Sequence, residues 1–158
     1  MNKLIIENES EYDFSPLADA LYKELKQKAK LKAEIIFVTD TEIKELNKNT
    51  RNIDSVTDVL SYPSIDKIKG VILNKKDYPF DIDEEGNIFI GSVAICKEVA
   101  VNQTKEYNHS LQREIFYLTV HGLLHLFGYD HVTAEEKEEM RITEEKIMEK
   151  INLTREQE

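Results

Sequence analysis

The run Phe116-Tyr117-Leu118-Thr119-Val120-His121-Gly122-Leu123-Leu124-His125-Leu126-Phe127, followed by Gly128-Tyr129-Asp130-His131, is apolar around nearly its whole helical circumference. A helix of that kind has no solvent face, so it belongs at the centre of a fold, covered on most sides. Ser110 is placed to cap its start, because a serine hydroxyl accepts one of the unpaired first-turn N–H groups. Gly128 is placed to end it, since glycine reaches the left-handed conformation of a helix C-terminus without steric cost.

Upstream of this helix the chain alternates between strands and helices. Leu4 to Ile6 reads as a short strand, and Ser15-Pro16 opens a helix through about Lys30, with Leu17, Ala20, Leu21 and Leu25 on one face. Ala33 to Val38 reads as a buried strand, after which Asp40 or Thr41 caps a short helix through Leu46. Val56 to Tyr62 and Ile88 to Ile95 are the remaining strands, separated by a loop over 64–87 with one extra short strand at Val71-Ile72-Leu73. From about Ile95 the chain is helical, and the last helix starts at the capping box Thr133-x-x-Glu136 and runs to about Lys150. With no repeat, linker or composition break, the expected organisation is a single domain over 1–158.

Inside the apolar helix, His121 and His125 lie four residues apart, on one face with Cβ atoms about 5–6 Å apart. The turn Tyr129-Asp130 returns His131 toward them, so three of the four histidines fall within 11 residues. Unpaired buried imidazoles are costly, and two at this spacing ask for a shared partner. Three neutral imidazoles hold a zinc ion and leave one tetrahedral position open for water, as in a catalytic rather than a structural site. Nickel, copper or iron would also accept them. The His and Gly spacing is that of the metzincin proteases, but position 122 is Gly where those enzymes carry their general-base Glu, which argues against a peptidase. Asp130 either works as an acid or base beside His131 or simply closes the turn. Glu114 shares the His121 stripe and reads as a partly exposed first-turn glutamate; His109 and Cys96 read as structural.

These histidines, together with His109-Ser110-x-x-Arg113-Glu114, resemble the C-terminal signature of the YbeY family of bacterial metal-dependent endoribonucleases. A second block, Leu46-Asn47, Arg51, Asp54 and Thr57-Asp58-Val59-Leu60-Ser61-Tyr62-Pro63, is similar to that family's other motif, so the resemblance covers essentially the whole chain. It implies an α+β fold, with a small mixed sheet of about four strands packed against helices and one zinc ion on His121, His125 and His131. It also implies cleavage of single-stranded RNA, trimming of the 3′ end of small-subunit ribosomal RNA, ribosome quality control, and the ribosome or its small subunit as partner. Where the family usually has Gly-Asp, this chain has Gly91-Ser92.

Phosphodiester cleavage needs the extra negative charge of its transition state stabilised, and a guanidinium beside a metal does this. Arg51 is the candidate, on the family match, and its planar fork suits two phosphate oxygens. It falls in the polar segment Asn47-Lys48-Asn49-Thr50-Arg51-Asn52, read as loop. Thr57, Asp58 and Ser61 either line the same cleft and bind substrate or serve hydrogen bonding at a strand edge. Two other classes compete: a metallohydrolase of another substrate, and a non-catalytic ribosome-binding factor with a structural metal.

Composition sets the outer limits. With 41% hydrophobic residues, 5 Gly and 3 Pro in 158 residues, collagen-like and low-complexity classes are excluded. Cys96 is the only cysteine, which excludes an internal disulfide and a Cys-rich zinc cage and points to a reducing compartment. The N-terminal apolar run is too short for a signal peptide and no stretch reaches 18 apolar residues, so a soluble, cytoplasmic protein with no membrane partner is expected. The net charge of −10 argues against nucleic acid if spread evenly, and DNA is not expected. The spread is uneven, however. Residues 133–158 hold 9 acidic and 5 basic side chains, whereas Lys23 to Lys32 holds five lysines against one glutamate. Lys44, Lys48 and Arg51 add positive charge near the expected cleft, so RNA remains open, with weak non-specific affinity.

Overall fold

The structure, a computed structural model, describes residues 3–107 and 110–152. His109 lies outside the described residues. Four strands, β1 (Leu4–Glu7), β2 (Leu31–Val38), β3 (Val59–Pro63) and β4 (Ile88–Cys96), form one mixed sheet in the order β1-β2-β4-β3. The β1–β2 and β2–β4 pairs are parallel, and β3 runs antiparallel to β4. Among the described residues, five α-helices complete this α+β fold: α1 (Ser15–Glu24), α2 (Asp40–Arg51), α3 (Lys97–Tyr107), α4 (Leu111–Leu126) and α5 (Ala134–Lys150).

Strand β4 explains the layering. Successive side chains of a strand point to opposite faces, and β4 is buried on both. On one face Val93 and Ile95 join Leu17 and Leu21 of α1, Ala100 of α3, Leu123 and Leu124 of α4, and Met140 and Ile147 of α5 in the main core. On the other, Cys96 and Leu60 meet Ile43 of α2 in a smaller cluster. The apolar helix α4 is thus the central one, with 11 of its 16 residues buried, Ser110 as its cap and Gly128 at φ +92 just past its end.

Several boundaries differ from the sequence reading. Helix α1 takes in Ser15 as its first residue instead of using it as a cap, and Asp13 accepts the Ser15 N–H instead. It stops at Glu24, not near Lys30, because Lys26 adopts φ 56 and the Gln27 and Lys26 N–H groups fold back onto the Tyr22 and Lys23 carbonyls. That is a Schellman ending with lysine where glycine is usual. Strand β2 starts two residues earlier than read, at Leu31, whose N–H reaches the Lys3 carbonyl. Helix α2 is capped by Thr39, through a capping box with Glu42, and not by Asp40 or Thr41. It also continues five residues past Leu46 to Arg51, where left-handed Asn52 ends it. Asn and Thr are weak helix formers, but here Asn47 is buried and Thr50 bonds the Leu46 carbonyl.

No strand forms at Val71-Ile72-Leu73. Gln27, itself buried, takes over that segment's backbone: its amide donates to the Val71 carbonyl and its oxygen accepts the Leu73 N–H.

Candidate metal centre and cleft

Helix α4 presents His121 and His125 one turn apart, and the chain reverses at Gly128 to bring His131 back against them. Gly128 is needed twice over, for its positive φ and because a Cβ there would meet the Lys69 backbone nitrogen at 2.8 Å. One ring nitrogen from each of the three histidines lies within 4.8 Å of the others, and among the described residues no other group of His, Cys, Asp or Glu is so arranged. Their ring centroids are 4.7, 5.0 and 5.6 Å apart. His131 is the exposed member, so the group opens to solvent.

The donor chemistry of the rings shows what fits between them. Nδ1 of His121 faces Oε2 of Glu144 at 2.5 Å, and Nδ1 of His125 faces the Tyr129 carbonyl at 2.8 Å. Both partners are acceptors, so each neutral ring carries its proton on Nδ1. The two Nε2 lone pairs then confront each other across 3.2 Å, an arrangement that repels unless a cation lies between them. Burial, and secondarily the repulsion that a protonated His121 would exert, hold His125 below its ordinary pKa of 6.5, which favours the neutral, ligating form. The residues therefore fit a metal ion, and Glu144 and the Tyr129 carbonyl stand where ligand-orienting partners usually stand.

A cleft of about 730 Å³ opens in front of the three histidines. Arg51, Thr57 and Asp58, the other residues singled out in the sequence, line it with them. Arg51 sits on the last turn of α2, not in a loop, and is exposed. Its Nη2 donates to the Ser61 carbonyl at 2.7 Å, with its Cζ 5.9 Å from the centre of the Tyr62 ring. Thr57 and Asp58 precede β3 rather than lying in a strand; Asp58 accepts from Gln103 at 3.1 Å and from the Thr57 hydroxyl at 3.4 Å. Ser61 is buried and donates to the Gly122 carbonyl, so its hydroxyl joins the sheet to α4.

Of the positive charges expected near the cleft, Arg51 lines it, joined by Lys67. Lys44 instead pairs with Asp54, and Lys48 is not among the lining residues. Asp130 is exposed and its Oδ1 accepts the His131 N–H at 2.8 Å, closing the turn. Ser92, at the position where Asp was expected, bonds Glu34 on β2. Cys96 is buried beneath α2, as its structural reading requires.

One glutamate lies otherwise than read, and another was not singled out in the sequence. Glu114 is buried, not partly exposed. The carboxylate behind His121 belongs to Glu144 of α5, a helix that reads as mostly charged. A signal was available, because Glu144 falls on the same stripe as Met140, Ile147 and Met148, the buried face of α5. A lone acid on an apolar stripe needs a partner.

Position 122 also acquires a physical reason. A Cβ on Gly122 would lie 2.5 Å from Val93 Cγ1 and 3.3 Å from Ser61 Oγ, so this side of the helix is pressed onto the sheet. A glutamate there has no room, which removes the peptidase chemistry that its spacing evokes.

Comparison with known proteins agrees with this arrangement. The family model described as "Endoribonuclease YbeY" matches residues 2–152. A protein of that name from Clostridium botulinum is 40% identical, the match covering 98% of this chain and 95% of the relative. Another of the same name from Clostridium tetani is 45% identical over 77% of this chain and 75% of its own. A Thermotoga maritima protein solved in solution shares the fold with a TM-score of 0.58 at 24% identity, over 94% of this chain and 91% of that one. With its three clustered histidines and a match over nearly its whole length, the chain belongs to the YbeY endoribonuclease family.

Proposed function

We propose that this protein is a zinc-dependent endoribonuclease that cuts single-stranded RNA in the cytoplasm. Its place is ribosomal RNA processing, at the 3′ end of the small-subunit RNA, and ribosome quality control, with the ribosome or its small subunit as partner. The observation that carries the reading is the meeting of three imidazoles and Arg51 in one open cleft. The name borne by the curated relatives supplies RNA as the substrate class.

His121, His125 and His131 would hold the ion, which when bound acts as a Lewis acid on a phosphoryl oxygen. Arg51 binds the scissile phosphate. Its anchoring to the Ser61 carbonyl and the Tyr62 ring restrains the guanidinium before substrate arrives, so little side-chain freedom is lost on binding. Its remaining N–H donors meet the charge that develops on the phosphate oxygens. Thr57 and Asp58 contact the ribose: a hydroxyl and a carboxylate accept from sugar hydroxyls, which distinguish RNA from DNA.

A purely structural metal is disfavoured. Such sites are closed by four protein ligands, whereas here the described residues bring together three, one of them exposed. Purified protein incubated with single-stranded RNA should cleave it, lose activity to a chelator and regain it with zinc. Undiminished cleavage by metal-free protein would refute the mechanism.

A further inference from the structure

Glu144 is 4% exposed, flanked on its helix face by Met140, Ile147 and Met148. Burying a carboxylate in such a setting is costly unless both oxygens are satisfied. Here both are used, and both on α4. Oε2 lies 2.5 Å from His121 Nδ1, and Oε1 accepts the Tyr117 hydroxyl at 3.0 Å. Tyr117 and His121 are one turn apart, and their rings stack with centroids 6.1 Å apart. One carboxylate from α5 thus holds two side chains of the metal-bearing helix at once.

We propose that Glu144 is a positioning residue of the metal centre, with Tyr117 as its support. It holds His121 as the Nδ1–H tautomer and stops the ring from turning, so that Nε2 stays directed at Nε2 of His125. An anion behind the ring also strengthens the imidazole as a donor. Packing alone would be met by an uncharged side chain of the same length, without the cost of burying a charge. The inference rests on the metal-centre part of the proposed function and not on RNA being the substrate.

The test is Glu144→Gln, which keeps the length but removes the charge and offers an amide that both donates and accepts. Zinc affinity is measured by competition with a chromophoric chelator, per folded molecule. The ¹⁵N signals of His121 are read in the metal-free protein. The expected result is zinc binding weakened about 10- to 100-fold and a His121 ring that passes from the Nδ1–H form to a tautomer mixture. Unchanged affinity with unchanged ring signals overturns the proposal. Should Glu144→Gln fail to fold, Tyr117→Phe carries the test: removal of one hydrogen bond weakens zinc binding about two- to tenfold, and unchanged affinity in that variant overturns the proposal equally. A wild-type protein that binds zinc but cleaves no RNA would refute the nuclease reading alone.

Discussion

Replacing Gly122 by alanine adds one methyl group where the sheet leaves no space for it. The new Cβ would lie 2.5 Å from Val93 Cγ1 and 3.0 Å from Cγ2, whereas carbon atoms in contact settle about 3.5–4.0 Å apart. Something must therefore move by about 1 Å. Val93 yields poorly, because its χ1 is restricted by β-branching and its strand is covered on both faces. Overpacking of this kind costs about 1–3 kcal/mol. The better helix propensity of alanine returns about 1 kcal/mol, so the net loss is at most about 2 kcal/mol. For a chain of this size that lowers Tm by up to about 8 °C, at about 2–4 °C per kcal/mol. Calorimetry of the metal-free protein measures it directly. The double variant Gly122→Ala/Val93→Ala removes the obstructing methyls and lets the new Cβ fill part of the gap. It should be more stable than the sum of the single changes by at least about 1 kcal/mol, within the usual range for residues in contact. Strict additivity in the double variant would show that α4 is not held against β4 in this way.

Two further outcomes follow from the cleft and its histidines. Arg51→Ala should lower turnover on single-stranded RNA by about 10²- to 10³-fold, the usual cost of losing one donor to a developing oxyanion. Zinc content should stay full, and zinc loss in that variant would contradict the phosphate-binding role. The folded protein disfavours protonated His125, so just below pH 6.5 the unfolded chain binds a proton that the native protein refuses. Stability of the metal-free protein therefore falls as pH drops through that window and levels off above it. His125→Ala should flatten this part of a Tm profile taken from about pH 8 to about pH 5, and parallel profiles for the two proteins would rule the explanation out.

Much of the architecture was legible because its determinants are local. The apolar circumference of residues 116–127 placed α4 at the centre, and glycine at 128 and threonine at 133 marked a helix end and a helix start by backbone chemistry alone. His121, His125 and His131 were legible for the same reason, since helical spacing and one tight turn suffice to bring them together. Arg51, Thr57 and Asp58 were matched in sequence but had no spatial relation to the histidines until β3 and α4 packed, because some sixty residues separate the two blocks. The ends of α1 and α2 were misjudged where tertiary partners override propensity: buried Gln27 feeds the segment after Ile68, and buried Asn47 donates to the Ser55 carbonyl. Gly122 read only as a missing base, and Glu144 as one charge among many in an acidic helix. Which atoms lie behind a histidine or beneath a helix is decided by packing between distant segments, and residue spacing along one segment does not carry that distance.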